Sequence, residues 1–336
     1  MGHDKEIHPR NVLSVLDLSP EDVLYLCERT VQLKRSRLDP ETLRGQTVGI
    51  YFRKPSTRTR TAFTLGAGRL GATVVNIGPD DLQTKTGETL EDTARTLSLY
   101  LDILVMRTND SVAEMKIFAN WPKMAVVNAL SSEEHPTQAI ADLATILEHF
   151  GRLDGISVVY LGEGNKTAAA LALAMSRIPR TRLTVATPRG YRLNRETLAT
   201  AGSLAAKHGA VIEETQDATS LPQGADVIYT SRWQEMGLEK AEIDWKRCFT
   251  PFRVTRSLVE RLSGPGTIFM HDLPAVRGEE VDSEVLDGPR SLAWTQAENK
   301  LFSAMAVMEW CAVGRCAKLL EAAPSYPKPL AAAASY

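Results

Sequence analysis

Short apolar runs alternate with longer mixed stretches along nearly the whole chain. The first runs lie at 47–52, 72–77, 101–106 and 125–129. A second series follows at 156–161, 182–187, 210–214, 225–230 and 267–270. Their length and their content of Val, Ile and Leu read as strands. The stretches between them carry helical spacing. Val23, Leu24, Leu26, Cys27 and Val31 give one apolar side behind Ser19-Pro20-Glu21-Asp22, which supplies a cap, a Pro at the first position and acids in the first turn. The last helix opens at Gln296 and runs to about Leu320. Strands and helices in this alternation predict an α/β fold with parallel sheets. The pattern breaks near Phe150-Gly151, so two domains are expected, 1–150 and 151–295. A polar stretch after 230, reaching Arg253, is long enough for a mobile loop. The tail, with Pro324, Pro327 and Pro329, reads as frayed.

The first strand runs into Arg53-Lys54-Pro55-Ser56-Thr57-Arg58-Thr59-Arg60, and a helix opens behind it. Pro55 stops the strand, and Ser56 or Thr57 can cap the helix. The first-turn N–H groups have no intrahelical partner and lie at the positive end of the dipole. Hydroxyls and arginines in the same turn add charge-assisted donors. Such a turn is a seat for an anion, and phosphate is the natural occupant.

Composition narrows the classes. The chain has 336 residues, of which 43% are hydrophobic, enough for two packed domains. A net charge of −2 gives no general reason to expect nucleic acid or an anionic membrane. Cys27, Cys248, Cys311 and Cys316 lack zinc spacing, and free thiols in a reducing cytoplasm account for them. The charged start of the chain has no apolar signal core, and no apolar segment is long enough to span a bilayer. Gly162-Glu163-Gly164 after a strand is a weak dinucleotide signal, because the third glycine is missing.

Other polar residues stand at strand ends or helix starts: Arg107, His135-Pro136-Thr137-Gln138, and His271-Asp272-Leu273-Pro274 before Arg277-Gly278-Glu279-Glu280-Val281. In α/β folds such strand ends face ligands. Together with Ser56-Thr57-Arg58-Thr59-Arg60, they resemble, in order and across nearly the whole chain, the motifs of the aspartate/ornithine carbamoyltransferase family. The later motifs are closer to its ornithine branch.

The resemblance implies a carbamoyl phosphate domain, an amine-substrate domain, and a C-terminal helix (296–320) returning to the first. It implies attack of a neutral primary amine on carbamoyl phosphate, giving a ureido product and phosphate, with no metal or organic cofactor. Ser56, Thr57, Arg58, Thr59 and Arg60 would hold the phosphate. Arg107, His135 and Gln138 would hold the carbamoyl group, and the Leu273 backbone and the Arg277 side chain would close the site. The family's cis Leu-Pro bond falls at Leu273-Pro274. The family core is a homotrimer, in which Gln83 or Lys85 would reach into a neighbour's site.

The acceptor side departs from the family pattern. Typical ornithine enzymes have Asn-Asn after Gly-Asp-Gly; here Glu163 replaces the Asp, and Lys166 follows Asn165. Their Asp-Thr-Trp-x-Ser-Met-Gly loop is Ser231-Arg232-Trp233-Gln234-Glu235-Met236-Gly237 here, and their His-Cys-Leu-Pro cysteine is Asp272. The carboxylate that would meet an α-ammonium is thus Ser231. A buried polar group left without its partner costs about 1–3 kcal/mol. These residues (Asn165, Lys166, Ser231, Glu235, Met236 and Asp272) therefore point to an acceptor other than ordinary ornithine. One candidate is 2,3-diaminopropionate, free or in a peptide, in antibiotic metabolism. The alternatives are a genuine ornithine enzyme of arginine biosynthesis and a non-catalytic paralogue that binds carbamoyl phosphate.

Overall fold

The computed structural model describes residues 10–36, 39–234, 240, 244–316 and 319–320, with the backbone alone at 84 and 85. The readings of the N-terminus and of the proline-rich tail fall outside them. Four strands, β1 (Thr47–Phe52), β2 (Thr73–Ile77), β3 (Ile103–Arg107) and β4 (Ala125–Leu130), form one parallel sheet in the order β2-β1-β3-β4. Five more, β5 (Ser157–Leu161), β6 (Arg182–Ala186), β7 (Val211–Thr215), β8 (Ala225–Thr230) and β9 (Ser263–His271), form a second in the order β7-β6-β5-β8-β9. It too is parallel throughout. The two-sheet α/β architecture is therefore the one the alternation predicts.

The sheets are joined by helices that are buried along most of their length. Helix Pro136–Phe150 opens with a Pro in its first turn and ends at Gly151, whose φ of +70° lets its N–H reach Leu147. Helix Lys166–Met175 is built mainly of Ala and Leu, and every residue from Thr167 to Met175 is buried. Small alanines let the two helices pack closely, so one hydrophobic cluster runs through both halves of the chain. The C-terminal helix begins at Ala293, about one turn before Gln296, and extends to Val313. It packs against helices Pro20–Ser36, Thr57–Arg69 and Pro136–Phe150 of the first half.

The polar stretch before Arg253 is partly ordered structure, not a continuous loop. Trp245–Phe249 is helical, Thr250–Phe252 is a 3-10 turn, and Trp245, Phe249 and Phe252 are buried. Their aromatic spacing carries the order, which a count of polar residues conceals.

A buried ion pair ties the C-terminal helix to the first. Arg29 donates from Nε to Glu309 Oε2 at 2.7 Å and from Nη2 to Glu309 Oε1 at 2.9 Å. Both side chains are almost fully enclosed. Arg29→Met should lower unfolding free energy by about 3–5 kcal/mol in urea titration, because it leaves Glu309 charged and buried. Replacing both residues with Met should recover most of that loss.

Candidate active site

Strand ends and the turns behind them, from both sheets, face one cleft. Its lining includes Ser56, Arg58, Thr59, Arg107, His135 and Gln138 from the first half. Asn165, Lys166, Ser231, Asp272 and Leu273 come from the second, and Lys300 from the C-terminal helix. This is where parallel α/β sheets place ligands.

On the donor side, Ser56 stands at the N-cap of helix Thr57–Arg69 but makes no side-chain capping bond. Its hydroxyl accepts from Arg107 Nη1 at 3.3 Å, as does Thr59 Oγ1. Arg107 thus spans from the end of β3 to the first turn of that helix. Thr57 is exposed, and neither it nor Arg60 is among the side chains lining the cleft. The Leu273–Pro274 bond is cis, as the resemblance implies.

His135 is the N-cap of helix Pro136–Phe150 and is buried. Burial, reinforced by the positive charges of Lys300, Arg107 and Lys166, holds its imidazole well below the usual histidine range. A neutral imidazole donates one N–H without adding a charge. Gln138 is fully buried and gives its Nε2 to Asp142 Oδ1 at 2.6 Å. Its Oε1, expected to meet a carbamoyl NH₂, accepts from Lys300 Nζ. That oxygen has a second lone pair.

Asp142 anchors this arrangement. Its Oδ1 also accepts from Gln296 Nε2 at 2.7 Å, and its Oδ2 from Tyr229 Oη at 2.9 Å. Gln296 in turn accepts the His271 N–H at 2.9 Å. Burial pushes the Asp142 carboxyl up, against the pull of these donors.

The acceptor side holds a ring of neutral groups. Asn165 Nδ2 donates to Ser231 Oγ at 2.7 Å, and Tyr160 Oη lies 2.6 Å from the same hydroxyl. Tyr160 also donates to Asn165 Oδ1 at 3.2 Å. That oxygen caps the following helix as well, accepting from the N–H groups of Thr167 and Ala168. A consistent proton order runs Asn165 to Ser231 to Tyr160 to Asn165. Asp272 supplies the carboxylate instead, accepting from Thr167 Oγ1 at 2.9 Å.

Several expected site residues lie elsewhere or are not described. Arg277 does not close the cleft: it faces solvent and makes a two-pronged pair with Asp287, Nε to Oδ2 at 2.9 Å and Nη2 to Oδ1 at 2.7 Å. The turn 276–281 closes on itself instead, through Gly278 N–H to Val281 and Glu279 N–H to Val276. Glu235 and Met236 lie outside the described residues. Gln83 is exposed and is not among the side chains lining the cleft, and the Lys85 side chain is not described. Lys300 and Thr167 line the site although the motifs do not predict them there; Arg232 and Gln234, which belong to the 231–237 motif, line it too. For Lys300 the available signal is a lone cation on an otherwise buried stretch of helix. Among the described residues no cluster of His, Cys, Asp or Glu could hold a metal, and no helix is long and apolar enough to cross a membrane.

Burial pulls the Lys300 ammonium below the usual lysine range, against the attraction of Asp272 and Asp142. Its charge is present at neutral pH and is lost as pH rises through the mildly alkaline range. Inorganic phosphate affinity, measured by calorimetry, should fall over that range. Lys300→Arg should flatten the profile, and Lys300→Met should weaken binding about tenfold or more.

Residues 10–148 match the carbamoyl-P binding domain of aspartate/ornithine carbamoyltransferase, and residues 154–311 match its Asp/Orn binding domain. The ornithine carbamoyltransferase of Caldicellulosiruptor saccharolyticus is 38% identical over 310 residues, which cover 91% of this chain and 99% of that one. The ornithine carbamoyltransferase of Oceanobacillus iheyensis is 40% identical over 309 residues, covering 90% and 94%. The structure of ornithine carbamoyltransferase from Pyrococcus furiosus superposes with a TM-score of 0.84 at 37% identity, covering 90% and 96%. Motif order, cleft and full-length similarity converge, and the chain belongs to the aspartate/ornithine carbamoyltransferase family, as a carbamoyltransferase.

Proposed function

We propose that this carbamoyltransferase moves the carbamoyl group of carbamoyl phosphate onto the side-chain amine of ornithine. The observation that carries the reading is the single cleft, where an anion seat and a carboxylate-bearing amine side meet across Arg107, His135 and Gln138. The relatives named above are ornithine carbamoyltransferases along nearly their whole length, which favours ornithine over a specialised acceptor.

In this reading the N-terminus of helix Thr57–Arg69 receives the phosphate, with Ser56, Arg58 and Thr59 lining the cleft, while Thr57 and Arg60 are added by the family resemblance alone. Lys300 adds a buried cation. The neutral amine attacks the carbamoyl carbon, and a C–N bond forms. The carbonyl oxygen takes up charge, which Arg107 and the His135 N–H stabilise. The C–O bond to phosphate then breaks, and the departing phosphate takes the amine proton. Gln138 and the Leu273 backbone orient the carbamoyl group. The cleft supplies alignment and charge stabilisation, because the donor arrives already activated. Asn165, Lys166, Ser231 and Asp272 form the acceptor side, to which the family resemblance adds Glu235 and Met236. Gln83 and Lys85 act in a neighbouring subunit of a homotrimer. Four free cysteines fit a cytoplasmic setting.

A second reading keeps the reaction and changes the acceptor. Its support is the sequence alone, with Ser231 and Asp272 where the ornithine pattern has Asp and Cys, and the acceptor it names is 2,3-diaminopropionate. A panel of ornithine, lysine, putrescine, 2,4-diaminobutyrate and 2,3-diaminopropionate, with ureido product and phosphate both followed, separates the two. Strong turnover with ornithine is the expected result. Preference for a shorter amine would transfer the conclusion to the second reading, and carbamoyl phosphate binding without turnover on any amine would sink both. With the productive amine, Arg107→Ala should lower kcat by about 10²–10³.

A further inference from the structure

Lys240 is a lysine enclosed by aromatic rings. Its Nζ lies 4.1 Å from the ring centre of Tyr191, 4.7 Å from that of Phe249 and 5.0 Å from that of Trp245. The same atom donates to Glu163 Oε1 at 2.8 Å. The Lys240 side chain is 11% exposed and that of Glu163 21%. Ring quadrupoles attract a cation most strongly where water is excluded, as it largely is here. None of these groups belongs to the donor seat.

Glu163 sits in the turn between β5 and helix Lys166–Met175, and that turn has no slack. A Cβ on Gly164 would lie 2.2 Å from Leu193 N and 2.5 Å from the Arg192 carbonyl carbon. Gly164 N–H donates to the Tyr191 carbonyl at 2.8 Å. Gly162 has φ of +127°, and a Cβ there would meet Trp233 at 3.4 Å. Trp233 and Tyr191 pack in the same aromatic cluster as Trp245 and Phe249. The cage and the turn are thus one mechanical piece. Directly beyond this turn, Asn165 and Lys166 line the cleft.

We propose that Lys240 is a positioning residue for the acceptor side: caged by Tyr191, Trp245 and Phe249 and bound to Glu163, it holds the Gly162–Gly164 turn so that Asn165 and Lys166 face the amine substrate. This rests on the carbamoyl-transfer reading of the cleft. Lys240→Met keeps an apolar stem among the rings and removes the cation. Lys240→Arg keeps the cation, and Glu163→Gln removes the opposite charge.

The test is steady-state kinetics with the productive amine and carbamoyl phosphate varied in turn. Lys240→Met should raise the amine KM about tenfold while leaving the carbamoyl phosphate KM within about twofold. Glu163→Gln should act alike, and the double variant should be no worse than either single one, since both remove the same interaction. Lys240→Arg should recover much of the loss. An unchanged amine KM in both single variants would overturn the proposal, even if their Tm falls, and so would equal rises in both KM values. Should Lys240→Met fail to fold, Glu163→Gln decides by the same two constants. Wild-type protein that turns over no amine would remove the carbamoyl-transfer reading and this inference together; wild-type turnover with unaffected variants would remove this inference alone.

Discussion

Asp142 has no exposed surface, yet it takes three hydrogen bonds from three elements. Gln138 comes from its own helix, Tyr229 from β8 and Gln296 from the C-terminal helix. Through Gln296 the network continues to the backbone of β9, and through Gln138 to Lys300. Removing any one partner would leave a buried polar group unsatisfied, so the network admits one arrangement of these elements. Donor and acceptor residues on either side keep their spacing because this carboxylate fixes the parts that carry them.

The electrostatics follow from that enclosure. Arg58, Arg107, Lys166 and Lys300 bring positive charge to the cleft, and Asp272 is the carboxylate that lines it with them. Burial lowers the pKa of Arg58 and of Lys300, while Asp272 raises both. Burial and the cations of Lys300, Arg107 and Lys166 keep His135 neutral. An imidazolium would add one more charge to a crowded site, whereas the neutral ring still offers an N–H where negative charge develops.

Much of the fold is legible in the sequence, because the strand runs are short, apolar and regularly placed. The turn behind β1 is legible too, since a strand, a proline and a hydroxyl-rich helix start lie within a few consecutive residues. What local pattern misses comes from afar. Lys300 is separated from its partner Gln138 by 162 positions, and Asp142 from Gln296 by 154. Neighbouring residues carry no signal for such pairs. Arg277 misleads for the opposite reason: its neighbours fit a motif, but the backbone turn 276–281 leaves its side chain to Asp287. Ser231 and Asn165 read as substrate contacts, yet their hydrogen bonds go largely to each other, to Tyr160 and to a helix start.

The position of Lys300 bears on how the protein is made. The anion seat at residues 56–59 emerges early in synthesis, but its buried cation arrives only with the last long helix. A nascent chain halted before that helix would expose the hydrophobic faces meant for it and would lack the ammonium beside Gln138. Unfinished chains therefore lack one wall of the cleft, and the end of translation sets the moment at which this chain's own share of it is complete.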